Sequence, residues 1–395
     1  MSGDLRGARV LRFGDAGAAG LDPSAMEQLV PCVEEFLTGP EPAFAGFALL
    51  AARNGVVVAH AAGGHAVRYA VALGRDGRAA EEGAVVELPE ADRVPAAPDT
   101  VFDMASVSKM FTALVVVCLA ERGALGLDDP VSRWLPGFPP LSVRSLLTHT
   151  AGWPAEIDLG PYPDRDARLA AIGARRPEYP PGTGYRYSDL GPMALGAVVE
   201  RVGDAPLDEL VRQLVTKPLG LTDTGYRPSP ALRERCAATE YQPWTGRGMI
   251  RGEVHDENAH YLGGVAGHAG VFSTAWDLAV LGQTLLNGGC YDGVRLLGER
   301  WVREMLTQQN AGLGRDAARG LGWQLDQPSI MGELASPTAF GHGGYTGTSL
   351  VADPSNGVLW VLLTNRVHPS RDRGTDGVYR RAPAAVLARA LRAER

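Results

Sequence analysis

The sequence predicts an α/β (α+β) fold in which one sheet draws strands from both ends of the chain and is interrupted by an inserted helical lobe. Three observations predict it. Strand-like apolar runs fall in GFALLAARNGVVVAHAAGG, starting at Gly46, and again in GVLWVLLTN, ending at Asn365. The stretch from Asp128 to about Gly270 alternates short helical patterns with Pro/Gly-rich loops, and the chain closes on an amphipathic helical pattern. With 395 residues, 45% hydrophobic and 21% charged, the chain is long and apolar enough for a sizeable core in two domains or one with an insertion. The expected division is a sheet domain of residues 1–112 and 275–395, with residues 113–274 forming the helical, loop-rich lobe.

Each element follows from local pattern. A helix is expected over Pro23 to Leu37. The next two strands meet at Asn54-Gly55, a pair that tolerates the left-handed backbone of a tight hairpin. Ala66 to Ala72 is a third strand candidate, and the Gly-, Glu- and Pro-rich segment Gly74 to Asp99 reads as an exposed connection. From Ser106 the period turns helical, with Phe111, Leu114, Val115, Cys118 and Leu119 on one face and Gly123 as a stop. Because Val116 and Val117 are apolar too, this helix should be buried all round. Short helical patterns follow at Val143 to Leu147, Leu190 to Val202 and Leu207 to Val215. Ser273-Thr274 can cap a helix running to Leu286. SLVADP and GVLWVLLTN then form a late strand pair, and Arg381 to Arg395 a last amphipathic helix.

Composition excludes several functions. The net charge of -7, spread over both signs, provides no electropositive field for a nucleic acid. The longest apolar run, Met110 to Ala120, falls well short of the roughly 20 residues that cross a bilayer, so no membrane partner is expected. No signal-peptide core is seen near the start, and Cys32, Cys118, Cys236 and Cys290 stand far apart without zinc spacing. These features predict a cytoplasmic protein with reduced thiols and neither metal nor organic cofactor. Of the 38 Lys+Arg residues only Lys109 and Lys217 are lysine. Neither follows a glycine, which rules out a P-loop, and G-x-S-x-G and G-x-G-x-x-G are absent.

One of the two lysines stands three residues after a serine, in Ala105-Ser106-Val107-Ser108-Lys109. At helical spacing the hydroxyl and the amine share a face. Serine is a poor nucleophile until a nearby base takes its proton, and a desolvated lysine can serve where arginine, always protonated, cannot. A solvated helix lysine fits the same pattern. Two further segments decide between these readings: YRYSDLG places Tyr187-Ser188-Asp189 between a Pro-Gly turn and a helix, and GHGGYTGTSL places His342-Gly343-Gly344 at the opening of a strand.

This set resembles the serine β-lactamase and penicillin-binding-protein superfamily, most closely its class C-like branch of esterases, D-amino-acid peptidases and acyltransferases. The matches are Ser-x-x-Lys at Ser106 and Lys109, Tyr-x-Asn as Tyr187-Ser188-Asp189, and Lys-Thr-Gly as His342-Gly343-Gly344. The likeness continues through SLLTHTAGW, KPLGLTDTGY and LGGVAGHAGVFSTAWDL, covering about Gly46 to Asn365. It implies a β-lactamase/transpeptidase-like fold, an antiparallel sheet flanked by terminal helices plus a helical lobe, with the active site in the cleft between. It also implies acyl transfer through a serine ester: hydrolysis of a small ester, amide or lactam, transfer to an amine or alcohol acceptor, or slow acylation in a sensor. Ser106 would be the nucleophile, with Lys109 and Tyr187 sharing removal of its proton and His342 completing the catalytic set. The oxyanion would lie between the backbone N–H groups of Ser106 and Tyr345. Asp189, Gly343, Gly344 and Trp153 would contact substrate, the two glycines by letting it approach the strand edge closely.

Two departures bear on substrate. His342 stands where lysine is usual in β-lactamases, which weakens the penicillinase reading, because only a protonated imidazole would anchor a carboxylate. Asp189 replaces an asparagine, exchanging amide donors for a carboxylate that accepts, so a substrate amine or hydroxyl could find a partner there. HDENAH, with His255, Asp256, Glu257 and His260, reads as a structural loop, since its histidine spacing does not share one helical face. His149 and His268 are expected to organise loops. Trp153, Tyr162, Trp244 and Tyr261 could line an acyl pocket or pack within the protein, and Lys217 complements a helix dipole.

Overall fold

The computed structural model describes residues 9–72 and 85–392. Its main sheet contains β1 (Arg12–Phe13), β2 (Gly46–Arg53), β3 (Val56–Val67), β4 (Gln324–Leu325), β5 (Phe340–Gly343), β6 (Ser349–Asp353) and β7 (Val358–Thr364). They lie in the order β1-β3-β2-β7-β6-β5-β4, antiparallel throughout except for the β1–β3 pair. β7 pairs with β2 from Val358 opposite Arg53 to Thr364 opposite Phe47, so the two ends of the chain meet in the middle of the sheet. The hairpin between β2 and β3 turns on Asn54 and Gly55, at φ 53° and 81°, as that dipeptide predicts.

The strand runs are continuously apolar because both faces of the sheet are covered. On β2, Ala48, Leu50 and Ala52 face one core, shared with α1 (Ser108–Glu121) and α2 (Ala275–Leu286). Phe47, Leu49 and Ala51 face the other, shared with Leu29, Val33 and α3 (Val378–Arg392). The same period-two split divides Leu359, Val361 and Leu363 from Val358, Trp360 and Leu362 on β7. Every residue of α1 from Ser108 to Ala120 is buried, as its all-round apolar pattern requires. α1 crosses residue 112 without a break, and its core continues into the lobe through Val143, Leu146, Leu195 and Val199. In the lobe, Leu190–Gly203 packs against α1. Thr274 caps α2 by accepting the Asp277 N–H.

Three expectations need correction. The helix over Pro23 to Leu37 is broken into Pro23–Met26, Leu29–Glu34 and a 3-10 turn at Glu35–Leu37. Pro31 lacks the N–H that an uninterrupted helix would use, and the restart at Leu29 places it in a first turn, where none is needed. The third strand is instead an extension of β3 to Val67, followed by Tyr69–Val71 paired with Val85–Glu87. Residues 74–84 of the expected connection lie outside the described residues, as do 393–395 of the last helix. His342 and Gly343 do not open a strand; they close β5, which the sequence pattern missed because Phe340–Gly343 holds only one large apolar residue.

Candidate active site

The nucleophile position is set by its neighbours before it. Asp103, buried, accepts the Ala105 N–H through Oδ1 at 2.8 Å and the His255 N–H through Oδ2 at 2.7 Å. Burial pushes its carboxyl up despite these bonds. The first bond holds Ala105 at φ 44°, a left-handed conformation that costs a non-glycine residue free energy of order 1 kcal/mol. Ser106 follows in a short 3-10 turn that opens α1.

A second set of bonds ties this turn to the hairpin between β5 and β6. Thr346 donates to the Asp103 carbonyl at 2.7 Å and Thr348 to the Met104 carbonyl at 3.0 Å. The two backbones approach so closely that a Cβ on Gly344 would lie 2.2 Å from Thr348 Oγ1 and 2.4 Å from the Met104 carbonyl oxygen. A Cβ on Gly343 would meet Ile330 at 2.8 Å. At both positions a side chain would collide with the protein itself. The N–H of Tyr345 follows directly, and among the described residues it donates to no protein group. Its side chain is 52% exposed.

Lys109 is 3% exposed, and its ammonium faces three oxygens. Nζ lies 2.7 Å from Ser106 Oγ, 2.8 Å from Asp189 Oδ1 and 3.3 Å from the His268 carbonyl. Burial alone would favour the neutral amine, but its interactions with Asp189 first and Tyr187 second outweigh burial and raise the lysine above its ordinary value. Asp189 thus meets Lys109 through Oδ1, an ion pair that the sequence reading did not foresee. Tyr187 completes the group: Lys109 Nζ is 4.9 Å from its ring centre.

His149 holds the Tyr187 segment from both sides, accepting the Arg186 N–H on its carbonyl at 3.0 Å and the Ser188 N–H on Nδ1 at 3.2 Å. Its ring lies 4.6 Å from that of Tyr187, centre to centre. His342 lies 6.2 Å from Tyr187 on the same measure and is 1% exposed, with Nδ1 at 2.9 Å from the Gly343 carbonyl and Nε2 buried without a partner. Burial first, then the charges of Arg319 and Lys109, hold both imidazoles well below their ordinary pKa. A lowered imidazole pKa disfavours the protonated form that would anchor a carboxylate.

Trp153 is 1% exposed, packed edge-on against Phe138, with its indole N–H donated to the Arg175 carbonyl at 2.8 Å. The ring is enclosed by protein, which favours the packing alternative for Trp153 over the substrate-contact one. Tyr162 and Tyr261 pack against the main core. Trp244 is exposed, stacked under Arg371.

Two contributors escaped the sequence reading. Arg319, 4% exposed, donates to the Tyr185 hydroxyl through Nε at 3.0 Å and sits 5.5 Å from both the Tyr185 and Tyr187 ring centres. No spacing rule points to it, because it arrives on a loop far from all three motifs. Asp256 was visible in HDENAH but set aside. It caps Glu257–Tyr261 and accepts from His268 Nε2 at 2.8 Å, while His255, Glu257 and His260 turn to Glu240, Arg371 and Glu253. Asp189, Asp256 and His268 bring one donor atom each within 4.8 Å of one another, a grouping able to hold a cation, and the Lys109 ammonium already lies against it. A surface hollow lined by Asp208, Tyr226, Arg227 and Phe272 includes none of these residues, so the site is located by its chemistry and not by volume.

The sequence signature of the Beta-lactamase family matches residues 31–385. The chain belongs to the Beta-lactamase family. Among curated members, the Escherichia coli K12 protein named "Putative D-alanyl-D-alanine carboxypeptidase" is 37% identical over 315 residues, covering 70% of this chain and 71% of its own. A Salmonella schwarzengrund protein of the same name is 36% identical over 315 residues, with 70% and 71% covered. Solved structures agree on the fold. EstCE1, described as a hydrolase with promiscuous acyltransferase activity, superposes with a TM-score of 0.70 at 23% identity, over 92% of this chain and 98% of its own. A penicillin-binding protein homologue from Caulobacter crescentus gives 0.68 at 23% identity, over 93% and 98%. Beta-lactamase family membership accounts for a mixed fold with a central, mostly antiparallel sheet, and for a hydrolase of small ester, amide or peptide substrates. No helix among the described residues is long and apolar enough to cross a membrane.

Proposed function

We propose that this Beta-lactamase family protein is a serine hydrolase that cleaves a small ester or amide through an acyl-enzyme on Ser106. The observation that carries the reading is the contact of 2.7 Å between Lys109 Nζ and Ser106 Oγ, beside an ion pair of 2.8 Å to Asp189. An ammonium so paired donates to Ser106 and has no lone pair with which to take its proton. On this reading Lys109 serves as a fixed positive charge, and Tyr187 beside it as the base. Ser106 Oγ bonds to the substrate carbonyl carbon as Tyr187 takes the serine proton. The same proton passes to the leaving group when its bond to that carbon breaks, and water repeats the sequence in reverse to release the acid.

The N–H of Tyr345, free of protein partners, supports an oxyanion hole with that of Ser106. The curated relatives' name favours a peptide amide among the possible acyl donors. Transfer to an amine or alcohol uses the same intermediate and differs only in what replaces water. Intact-mass measurement after incubation with a fluorophosphonate tests the core of the proposal. One adduct is expected in the wild type and none in Ser106→Ala; an adduct persisting in that variant overturns it. Turnover of p-nitrophenyl esters, a D-alanyl-D-alanine peptide and a cephalosporin then ranks the substrate classes.

A further inference from the structure

Two guanidinium groups lie against the turn that carries the Tyr345 N–H. Arg380, on α3, donates from Nη2 to the Gly344 carbonyl at 2.6 Å. Arg366, just after β7, donates through Nε and Nη2 to the Tyr345 carbonyl at 3.0 and 2.7 Å, with its guanidinium 4.8 Å from the Tyr345 ring centre. The first contact matters most, because the Gly344 carbonyl and the Tyr345 N–H are opposite ends of one peptide group. A cation bonded to the oxygen draws electron density along the amide and makes its N–H a stronger donor.

Energetics argue that this arrangement is kept for more than stability. Burying a charge is costly unless an opposite charge meets it. Yet the bonds of both arginines run to carbonyl oxygens: Arg366 Nη1 donates to the Arg371 carbonyl at 2.8 Å, Arg380 Nη2 also reaches the Thr348 carbonyl at 3.4 Å, and Arg380 Nε is buried without a partner. Among the described residues neither forms an ion pair with a carboxylate. Burial and the nearby charge of Arg366 both lower the pKa of Arg380, the signature of a cation held where it is not favoured. Such uncompensated charge stabilises a negative charge forming above it.

We infer that Arg380, supported by Arg366, is a positioning residue that polarises the Gly344–Tyr345 peptide and strengthens the N–H offered to the oxyanion of the tetrahedral intermediate. Arg380 touches no substrate and acts through the peptide. The inference rests on the proposed roles of Ser106 as nucleophile and Tyr345 N–H as oxyanion donor.

The test compares Arg380→Met, Arg380→Lys and Arg380→Gln with the wild type, using a p-nitrophenyl ester as substrate and a phenylboronic acid as a mimic of the tetrahedral adduct. Arg380→Gln covers failure of the Met variant to fold. Loss of the charge should lower kcat by about tenfold or more with KM nearly unchanged, since removing a direct oxyanion donor costs about a hundredfold or more. Boronate inhibition should weaken in step with kcat/KM, and Arg380→Lys should recover part of both. Thermal stability should hold or rise, because an unpaired buried charge has gone. A merely structural arginine would instead lower Tm and activity together. Unchanged kcat and boronate affinity in both neutral variants, or losses that track Tm, overturn the inference. If Ser106→Ala abolishes the fluorophosphonate adduct while Arg380→Met turns over normally, only this inference fails; if Ser106→Ala still forms the adduct, the underlying mechanism falls and takes the inference with it.

Discussion

Asp189→Asn removes one charge from a buried pair and replaces it with an amide of nearly the same shape. At 2.8 Å and an effective dielectric constant of about 20, the gross attraction between Lys109 and Asp189 is about 6 kcal/mol. Desolvation of both groups offsets part of it, and breaking a buried pair from one side typically costs about 3–5 kcal/mol. Lys109 keeps its contacts with Ser106 and the His268 carbonyl, and Asp189 is partly exposed, so the lower end applies, about 3 kcal/mol. The same loss lowers the Lys109 pKa, since Asp189 is the largest of the interactions that raise it. Urea unfolding of the two proteins across pH measures it. Because the folded state raises this lysine's pKa, the wild-type advantage should be full throughout neutral pH. On the alkaline side it should close as pH rises past the unfolded lysine value of about 10.4 toward the folded one. Lys109 remains an ammonium at neutral pH in the variant, so kcat/KM should fall less than about tenfold. A stability difference under about 1 kcal/mol, or one that shrinks on going from pH 9 to pH 6, would refute the buried pair. Unchanged stability with a large rise in KM would return Asp189 to substrate binding.

Four further outcomes are expected. Lys109→Arg keeps the charge but places a planar fork where a compact ammonium faces three oxygens, and should abolish the acyl adduct; near-normal acylation would contradict the fixed geometry. Gly344→Ala drives a methyl group into Thr348 and the Met104 carbonyl and should cost about 1–3 kcal/mol and most activity, read by thermal denaturation and ester turnover. His368 accepts the Arg68 and Tyr69 N–H groups on Nε2 at 3.0 and 3.1 Å, and burial lowers it to about 4. The fold therefore favours the neutral form, and about 3 kcal/mol of stability should be lost as pH falls from about 6.5 toward 4; His368→Gln should flatten this acid limb, and equal slopes in both proteins would count against it. Trp153→Phe loses the bond to Arg175 and some core volume and should cost about 1–3 kcal/mol with KM unchanged; a KM shift without loss of stability would restore Trp153 to the substrate pocket.

Much of the fold was legible in sequence because its signals are local. The Asn54-Gly55 turn, the Thr274 cap and the all-round apolar helix Ser108–Glu121 each reflect interactions within a few residues. β5 was not legible, since four residues of Phe-Gly-His-Gly show no periodicity and pair only once β6 is in place. In the site, Ser106 and Lys109 share a helix turn, so their common face could be read from spacing, and the two further motifs gave that face a function.

By itself the sequence determined the family, the three motifs and the alternation that covers both faces of the sheet, because these are matters of residue type and period. Tertiary structure decided what the neighbours do. It paired Asp189 with Lys109, buried His342 and Trp153, and brought Arg319, Asp256 and Arg380 to the site from distant segments. The physical reason is that charge state depends on burial and on the nearest charges in space, and neither follows from position along the chain.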